Sequence, residues 1–276
     1  MIRINQIKLP VTHTHEQLRK KAAKLLRIPE EKITKLVPVR RSIDARRKND
    51  IHYTYTVDVE IPGNEEAAVR KAADKNISVC RPQLYRLPAP GSEKMCSRPV
   101  IVGFGPAGMF CGLMLAKAGY RPLILERGEQ VEKRAGRVEK FWTGNALSTE
   151  SNVQFGEGGG GTFSDGKLNT LVKDPAGRNR KVLEILAEAG ADPEILYVNN
   201  PHVGTDVLRT VVKNIREEIL RLGGEIRFGC KMDDFSVRDG HVSGVLTERG
   251  GIREEIPADV LVLALGHSAR DTFAML

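Results

Sequence analysis

Alternating apolar and polar residues dominate the first third of the chain. From residue 51 to residue 61, apolar or aromatic side chains occupy every second position, which predicts a half-buried strand. Residues 18–26 carry apolar side chains at helical spacing, and Thr14 with Gln17 before them indicates a capping box. A second helix is predicted at 64–73, and further strands are predicted at 2–7, 33–39 and 77–84. Together these elements follow a βαββαβ order. This order predicts a small ferredoxin-like α+β domain.

The pattern changes after residue 99, where short buried strands alternate with helices. A strand, a helix and a strand cover residues 100–126, and an amphipathic helix follows at 206–222. Three short strands after residue 234 predict an antiparallel βββ meander, at 235–237, 242–246 and 252–256. Pro88-Ala89-Pro90-Gly91-Ser92 is typical of a linker. We therefore expect an α/β chain with domains 1–90 and 91–276.

Charge separates the same two regions. The whole chain has a formal net charge of +8. Residues 1–99 contain 21 Lys and Arg and 11 Asp and Glu, whereas the remaining residues contain 22 Lys and Arg and 24 Asp and Glu. The basic residues at 40–48 could bind nucleic acid, remain solvated or dock on the acidic domain, and we favour the last two interpretations. Tyr53 and Tyr55 share the phase of the buried strand positions, so we expect them in the core.

Cysteine use and hydropathy indicate a cytoplasmic protein. Cys80, Cys96, Cys111 and Cys230 lie far apart, without the spacing of a metal site or a redox disulfide. No apolar run reaches the length of a membrane span, and the N-terminus lacks a signal-peptide core. We expect no membrane partner and no metal.

The sequence Val-Ile-Val-Gly-Phe-Gly-Pro-Ala-Gly at 100–108 predicts a dinucleotide site. Gly103 permits a tight turn, Gly105 permits backbone approach to a pyrophosphate, and Gly108 permits close helix packing. Glu126, eighteen positions after Gly108, ends the next strand and can accept hydrogen bonds from a ribose diol. Its charge argues against a 2′-phosphate and hence against NADP at this site.

Several motifs together closely resemble a bacterial family of FAD-dependent, or NAD(FAD)-utilising, dehydrogenases of unassigned substrate. They are the Gly-Pro-Ala-Gly turn, which is similar to that of the glutathione reductase superfamily, and residues 40–47, 126–134, 151–168, 202–208 and 263–271. The resemblance implies a Rossmann-type FAD-binding domain and hydride transfer through a flavin. Members of that family are longer, so the resemblance also implies that the chain stops before the domain is complete.

The expected cofactor-binding residues follow from the turn, the glycine-rich segment and the resemblance. The turn and the next strand end contribute Gly103, Gly105, Pro106, Ala107, Gly108, Glu126 and Arg127. The glycine-rich segment, expected to wrap the flavin, contributes Gly158, Gly159, Gly160, Gly161, Ser164, Asp165, Gly166 and Lys167. The resemblance adds Met232 and Gly266.

Other candidate residues have ordinary structural interpretations. Arg134 could reach the adenine or a phosphate, but we favour a solvated helix arginine. His267 and His202 could transfer protons, yet structural hydrogen bonding is our preferred interpretation, and Cys111 is expected to pack. We name no catalytic residue.

The sequence therefore predicts an FAD-dependent oxidoreductase of unknown small-molecule substrate, with NAD(P)H as a candidate electron donor. Two alternatives stay open: a nucleic-acid-linked flavoprotein that uses the basic N-terminal domain, and a non-catalytic FAD-binding fragment.

Overall fold

The computed structural model describes residues 1–164, 166–168, 170 and 172–276. The chain forms two compact units. The first unit comprises residues 1–85, 168–187 and 192–201, and the second comprises residues 86–167, 188–191 and 202–276. Each unit is therefore assembled from separate stretches of chain.

Strands and helices are interspersed along the whole of the described chain. In chain order, they are β1 (Ile2–Pro10), α1 (His15–Leu26), β2 (Lys35–Asp44), β3 (His52–Glu60), α2 (Glu65–Ala72), β4 (Ile77–Val79), β5 (Val100–Val102), α3 (Pro106–Lys117), β6 (Leu123–Glu126), α4 (Val131–Gly144), α5 (Arg178–Glu188), α6 (Thr205–Arg221), β7 (Glu225–Phe228), β8 (Cys230–Arg238), β9 (His241–Arg249), β10 (Ile252–Pro257), β11 (Leu261–Leu263) and α7 (Arg270–Met275).

The first unit contains an antiparallel sheet in the order β2-β3-β1-β4. Its helix α1 starts at the predicted capping box, in which the Gln17 N–H donates to Thr14 Oγ1 and the Thr14 N–H donates to Gln17 Oε1. Helices α1 and α2 and one face of the sheet enclose a core that includes Leu18, Leu26 and Val57. Tyr55 is only 4% exposed within this core, which confirms its predicted burial.

A segment distant in sequence covers the edge strand β2. The Arg41 N–H donates to the Tyr197 carbonyl at 2.6 Å, and the Asn199 N–H donates to the Arg41 carbonyl at 2.9 Å. The Arg41 guanidinium also donates to both oxygens of Glu194, at 2.7 and 2.5 Å, and this contact lowers the pKa of Glu194. The exposed strand edge is thus paired within the unit.

The second unit contains a parallel sheet in the order β11-β5-β6-β7, which confirms the predicted α/β class. The strands β8, β9 and β10 form a separate antiparallel sheet. The buried residues of both sheets share one core, which includes Val100, Leu125, Met232 and Val245. Among the described residues, no helix is both long enough and apolar enough to cross a membrane.

Strand register in the parallel sheet brings three carboxyl ends together. Val102 of β5 lies opposite Leu125 of β6 on one side and Leu263 of β11 on the other. Strand β6, which follows β5 through α3, lies on one side of β5, and β11, which follows β10, lies on its other side. The strand order therefore reverses at β5. Such a switch point opens a crevice at the carboxyl edge of the sheet.

Candidate functional site

A cavity of about 630 Å³ lies at this carboxyl edge, entirely within the second unit. Its walls come from the turn after β5, the end of β6, the glycine-rich loop after α4, the start of β8 and the residues after β11. The volume lies in the range of sites for drug-sized ligands and cofactors, roughly 300–1,000 Å³. The cavity is therefore the candidate functional site.

The turn after β5 needs glycine at two positions because the backbone is crowded there. Gly103 has a φ of +100°, and a Cβ on it would collide with the Ala264 carbonyl. A Cβ on Gly108 would collide with the Gly103 carbonyl, so a side chain there would push α3 away from the turn. These contacts hold the first turn of α3 against the ends of β5 and β11.

The N-terminus of α3 faces the cavity without a side-chain cap. Gly105 is the N-cap residue and no side chain of the described residues caps the helix there, while the exposed residues Pro106 and Ala107 line the cavity. First-turn N–H groups of a helix have no intrahelical acceptor, and the helix dipole is positive at this end. The cavity therefore presents free donors to an anionic group such as a phosphate.

Glu126 places a buried carboxylate in the same wall. The side chain is 4% exposed and lines the cavity. Its Oε2 accepts the Phe104 N–H at 2.7 Å and its Oε1 accepts the Gly128 N–H at 2.8 Å. One side chain therefore holds both the turn after β5 and the segment after β6. Each carboxylate oxygen has a second lone pair, which leaves acceptor capacity for ligand hydroxyls.

Arg127 lines the cavity beside Glu126 but its charge is already neutralised. The guanidinium donates to Glu150 at 2.9 Å and to both oxygens of Asp271 at 3.1 and 2.9 Å, and this pairing lowers the pKa of Asp271. One face of the guanidinium lies 4.4 Å from the Phe155 ring centroid. A planar group held in this way suits stacking on a flat ligand ring better than binding a phosphate.

Arg134 corrects the solvated-helix interpretation, because its side chain is fully buried. The guanidinium donates to backbone carbonyls throughout the glycine-rich loop, those of Asn152, Val153, Gly156, Glu157 and Gly159. Burial lowers the pKa of Arg134 to about 10. The sequence signal was ambiguous because one polar residue on a helix gives no information on the loop that covers it.

A second buried ionisable side chain lies under the same loop. Glu157 is 0% exposed, and its Oε2 accepts the Val131 N–H at 2.7 Å and Arg216 at 2.6 Å. Arg216 also donates to both oxygens of Glu132, at 2.7 and 3.1 Å. Burial raises the pKa of Glu157 to about 7. Two charged side chains on helices therefore anchor the loop from below.

The structure brings many of the predicted cofactor residues to the cavity. Those that line it are Gly103, Gly105, Pro106, Ala107, Glu126, Arg127, Gly159, Gly160, Met232 and Gly266. The predicted residues that do not line it are Gly108, Gly158, Gly161, Ser164, Gly166 and Lys167. Asp165 lies outside the described residues.

Local contacts explain why part of the glycine-rich segment faces elsewhere. The Gly158 N–H donates to the Phe104 carbonyl at 2.8 Å, which ties the loop to the turn after β5. A Cβ on Gly166 would collide with the Val203 carbonyl. These glycines permit close approach of backbone to backbone, whereas Gly159 and Gly160 reach the cavity.

Several cavity residues were not among the predicted cofactor-binding residues. Phe155, Lys231 and Phe273 line the walls, as does Cys230, whose thiol pKa is raised by burial. His267 is exposed and lines the cavity, whereas His202 is exposed outside it. Burial also raises the pKa of the Cys111 thiol on α3, which makes a thiolate there unfavourable.

Comparison with known sequences finds a family model and a curated relative. Residues 1–60 match a family described as "Domain of unknown function (DUF8436)". The chain is also 47% identical over 275 residues to an uncharacterized protein of Clostridium beijerinckii, covering 100% of this chain and 50% of that protein. The chain therefore spans half the length of the curated relative it matches.

Solved structures give distant likenesses. Thermovibrio ammonificans THI4 is 22% identical, with 62% of this chain and 58% of that chain covered and a TM-score of 0.40. Glycine oxidase from Bacillus cereus is 15% identical, with 60% and 54% covered and a TM-score of 0.39. TM-scores at this level do not establish a shared fold.

Proposed function

We propose that the second unit binds FAD and that the chain belongs to an FAD-dependent oxidoreductase acting on a small molecule. The supporting observation is the cavity, in which free helix N-terminal donors and the buried Glu126 carboxylate lie side by side. A pyrophosphate fits the donors, and a ribose diol fits the carboxylate. The same carboxylate repels a 2′-phosphate, which favours FAD over NADP as the resident nucleotide.

Different cavity residues would contact different parts of the proposed cofactor. The turn containing Gly103 and Gly105 would hold the pyrophosphate, and Arg127 would stack on the adenine. Gly159 and Gly160 would let backbone approach the flavin side of the cofactor. Bound FAD would supply hydride acceptance and donation, and the protein would supply orientation and exclusion of water.

The proposal extends to the rest of the chain. The βαββαβ order and the β4-β1-β3-β2 pairing of the first unit support a ferredoxin-like domain. NAD(P)H is the proposed electron donor to the flavin, and the cytoplasm is the proposed location. We name no catalytic residue, because His267 lacks a hydrogen-bond partner among the described residues.

The test is the visible absorption spectrum of the purified 276-residue chain, with the released cofactor identified by chromatography and added FAD titrated into apoprotein. We expect a flavin spectrum and one FAD per chain. Gly105→Asp puts a negative side chain against the pyrophosphate position and should abolish binding. Gly136→Asp, on an exposed face of α4 with open space around its Cβ, is the matched control and should bind FAD normally.

Two results would contradict the proposal. A folded chain that neither retains nor takes up FAD lacks the proposed site. Equal FAD binding by Gly105→Asp and Gly136→Asp would place the cofactor somewhere other than this cavity.

A further inference from the structure

A second cavity, of about 490 Å³, lies in the first unit and is lined only by charged residues and one histidine. We name it the basic pocket and define it by Lys8, Asp44, Arg46, Arg47, Asp50 and His52. All six fall within the residues matched by the domain of unknown function. Nothing in the proposed flavin chemistry of the second unit uses them.

Strand register builds the floor of the basic pocket. His52 of β3 lies directly opposite Asp44 of β2, and Lys8 of β1 pairs with Thr54, two residues along β3. Residues two apart on a strand share a face, so these side chains stand on one face of the sheet. Ile7 and Leu9, on either side of Lys8, are buried in the core on the opposite face. The loop between β2 and β3 contributes the remaining side chains.

One carboxylate in the basic pocket is already paired. Arg46 donates to both oxygens of Asp44, at 2.9 and 2.5 Å, and holds the pKa of that carboxyl well below its usual range. The other carboxylate, Asp50, has a 67% exposed side chain, and its Oδ1 lies 3.7 Å from His52 Nδ1. The interior of the pocket is therefore not dominated by negative charge.

The remaining cations of the pocket are donors without acceptors. Within the part of the chain that the structure describes, the Lys8 and Arg47 side chains have no hydrogen bond and no ion pair. His52 Nδ1 lies 3.2 Å from the Asp50 carbonyl, while His52 Nε2 is shielded from solvent and makes no hydrogen bond, although Asp44 Oδ2 lies 3.5 Å away. Two cations and a shielded ring nitrogen thus converge on one space.

We propose that the basic pocket binds a phosphate group, carried by a phosphate monoester or present as inorganic phosphate. Arginine presents planar paired donors to phosphate oxygens and lysine acts as a point charge, so Arg47 and Lys8 match this ligand. A metal ion does not suit the pocket, because Asp44 is already paired with Arg46 and the described residues include no group of three or more His, Cys, Asp or Glu side chains placed to hold a metal ion. The volume exceeds what a lone anion needs and leaves room for an organic portion.

The experiment is isothermal titration calorimetry on the full chain with inorganic phosphate and with AMP as separate titrants. We expect saturable binding. A higher affinity for AMP than for inorganic phosphate would assign the pocket to a phosphate monoester. An equal or higher affinity for inorganic phosphate would assign it to the free ion. The variants Lys8→Gln and Arg47→Gln each remove one charged donor and should weaken binding about tenfold. Both side chains are exposed, so the fold should remain intact, as circular dichroism can check.

The matched control is Lys48→Gln, which removes an exposed cation next to Arg47 that does not line the pocket. It should bind phosphate as the unaltered chain does. Absence of saturable binding by the unaltered chain, or an equal loss in Lys48→Gln, would overturn the proposal. Because the pocket and the flavin cavity share no residue, AMP binding that is lost in Gly105→Asp but kept in Arg47→Gln would also overturn it, by assigning the AMP to the flavin cavity.

Discussion

Two glycines of the turn after β5 differ in what surrounds their Cα atoms. A Cβ on Gly105 would lie 3.7 Å from the Gly159 Cα, which is an ordinary contact, and Gly105 has a φ of −73° that any residue can adopt. A Cβ on Gly108 would collide with the Gly103 carbonyl. Gly105 is therefore free to change as far as the fold is concerned, and Gly108 is not.

Replacement by alanine should therefore affect mainly FAD binding at Gly105 and mainly the stability of the fold at Gly108. Gly105→Ala should change the free energy of unfolding by less than about 0.5 kcal/mol and weaken FAD binding about tenfold, since a methyl group replaces open space beside the phosphates. Gly108→Ala should cost about 1–3 kcal/mol of stability through overpacking. Urea unfolding and FAD titration measure the two effects, with Gly136→Ala as the control, which should stabilise the chain by up to about 1 kcal/mol through helix propensity. Similar stability losses at Gly105 and Gly108 would contradict this distinction.

Glu157 should make stability depend on pH. The folded state keeps this carboxyl protonated up to its raised pKa of about 7, whereas the unfolded chain releases the proton above the ordinary value of 4.5. The unfolded state then binds fewer protons, so the contribution of Glu157 to stability falls as pH rises from 4.5 to 7 and is constant above 7.

Urea midpoints of the unaltered chain and Glu157→Gln between pH 5 and 8 test this. The difference between the two proteins should change up to pH 7 and then level off. The exposed Glu139→Gln serves as the control and should run parallel to the unaltered chain. A pH-independent difference for Glu157→Gln would contradict a raised pKa in the folded state.

At the scale of elements, one helix determines the shape of one loop. Helix α4 directs Arg134 under the glycine-rich loop, where the guanidinium donates to a set of backbone carbonyls and lies 4.7 Å from the Phe163 ring centroid. Without these donors, the carbonyls of Asn152, Val153 and Glu157 would lose their partner, whereas those of Gly156 and Gly159 would still accept the N–H groups of Gly159 and Thr162. Each such loss costs more than an ordinary hydrogen bond contributes.

Arg134→Met should therefore destabilise the chain by roughly 3 kcal/mol or more, since it leaves several buried carbonyls unpaired. Arg137→Met, on the same helix, removes only an exposed contact to Glu129 and should cost less than about 1 kcal/mol. Thermal unfolding of both variants, with and without FAD, gives the measurement. Equal melting temperatures would show that the loop does not depend on Arg134.

Prediction from the sequence was most successful where local chemistry decides the structure. The capping box at Thr14, the burial of Tyr55 and the parallel α/β class follow from patterns confined to a few neighbouring residues. The burial of Arg134 was missed because its partners are main-chain carbonyls of a later loop. Every residue type has a main-chain carbonyl, so the pattern of side chains does not indicate such contacts. Similarly, nothing in the composition of residues 192–201 indicates that they pair with β2.

At the scale of the whole molecule, the first unit is completed by residues far along the chain. Arg41 and Glu194 are separated by 153 positions, yet their contact closes the edge of a sheet that begins at residue 2. Closing such a long loop has an entropic cost that the strand pairing and the ion pair must offset. The edge of β2 is thus the place where this unit depends on distant sequence.

Glu194→Ala should loosen that edge without unfolding the unit. Since Glu194 is partly exposed, the loss should be about 1 kcal/mol. Hydrogen exchange should quicken at the Arg41 and Asn199 amides, which bond across this edge, while the amides in α1 keep their protection. Glu31→Gln, an exposed change in the same unit, is the control. Unchanged exchange at Arg41 in Glu194→Ala would contradict this role.

The contacts of Arg134 also have a consequence for how this protein tolerates insertions and deletions. Because every carbonyl that accepts from Arg134 belongs to the main chain, replacing the loop side chains at positions 153 and 154 leaves those bonds in place. Adding or removing a single residue, by contrast, shifts the carbonyls out of reach of a guanidinium of fixed geometry. Homologous chains that keep this arginine are therefore expected to vary in the residue types of the loop while preserving its length.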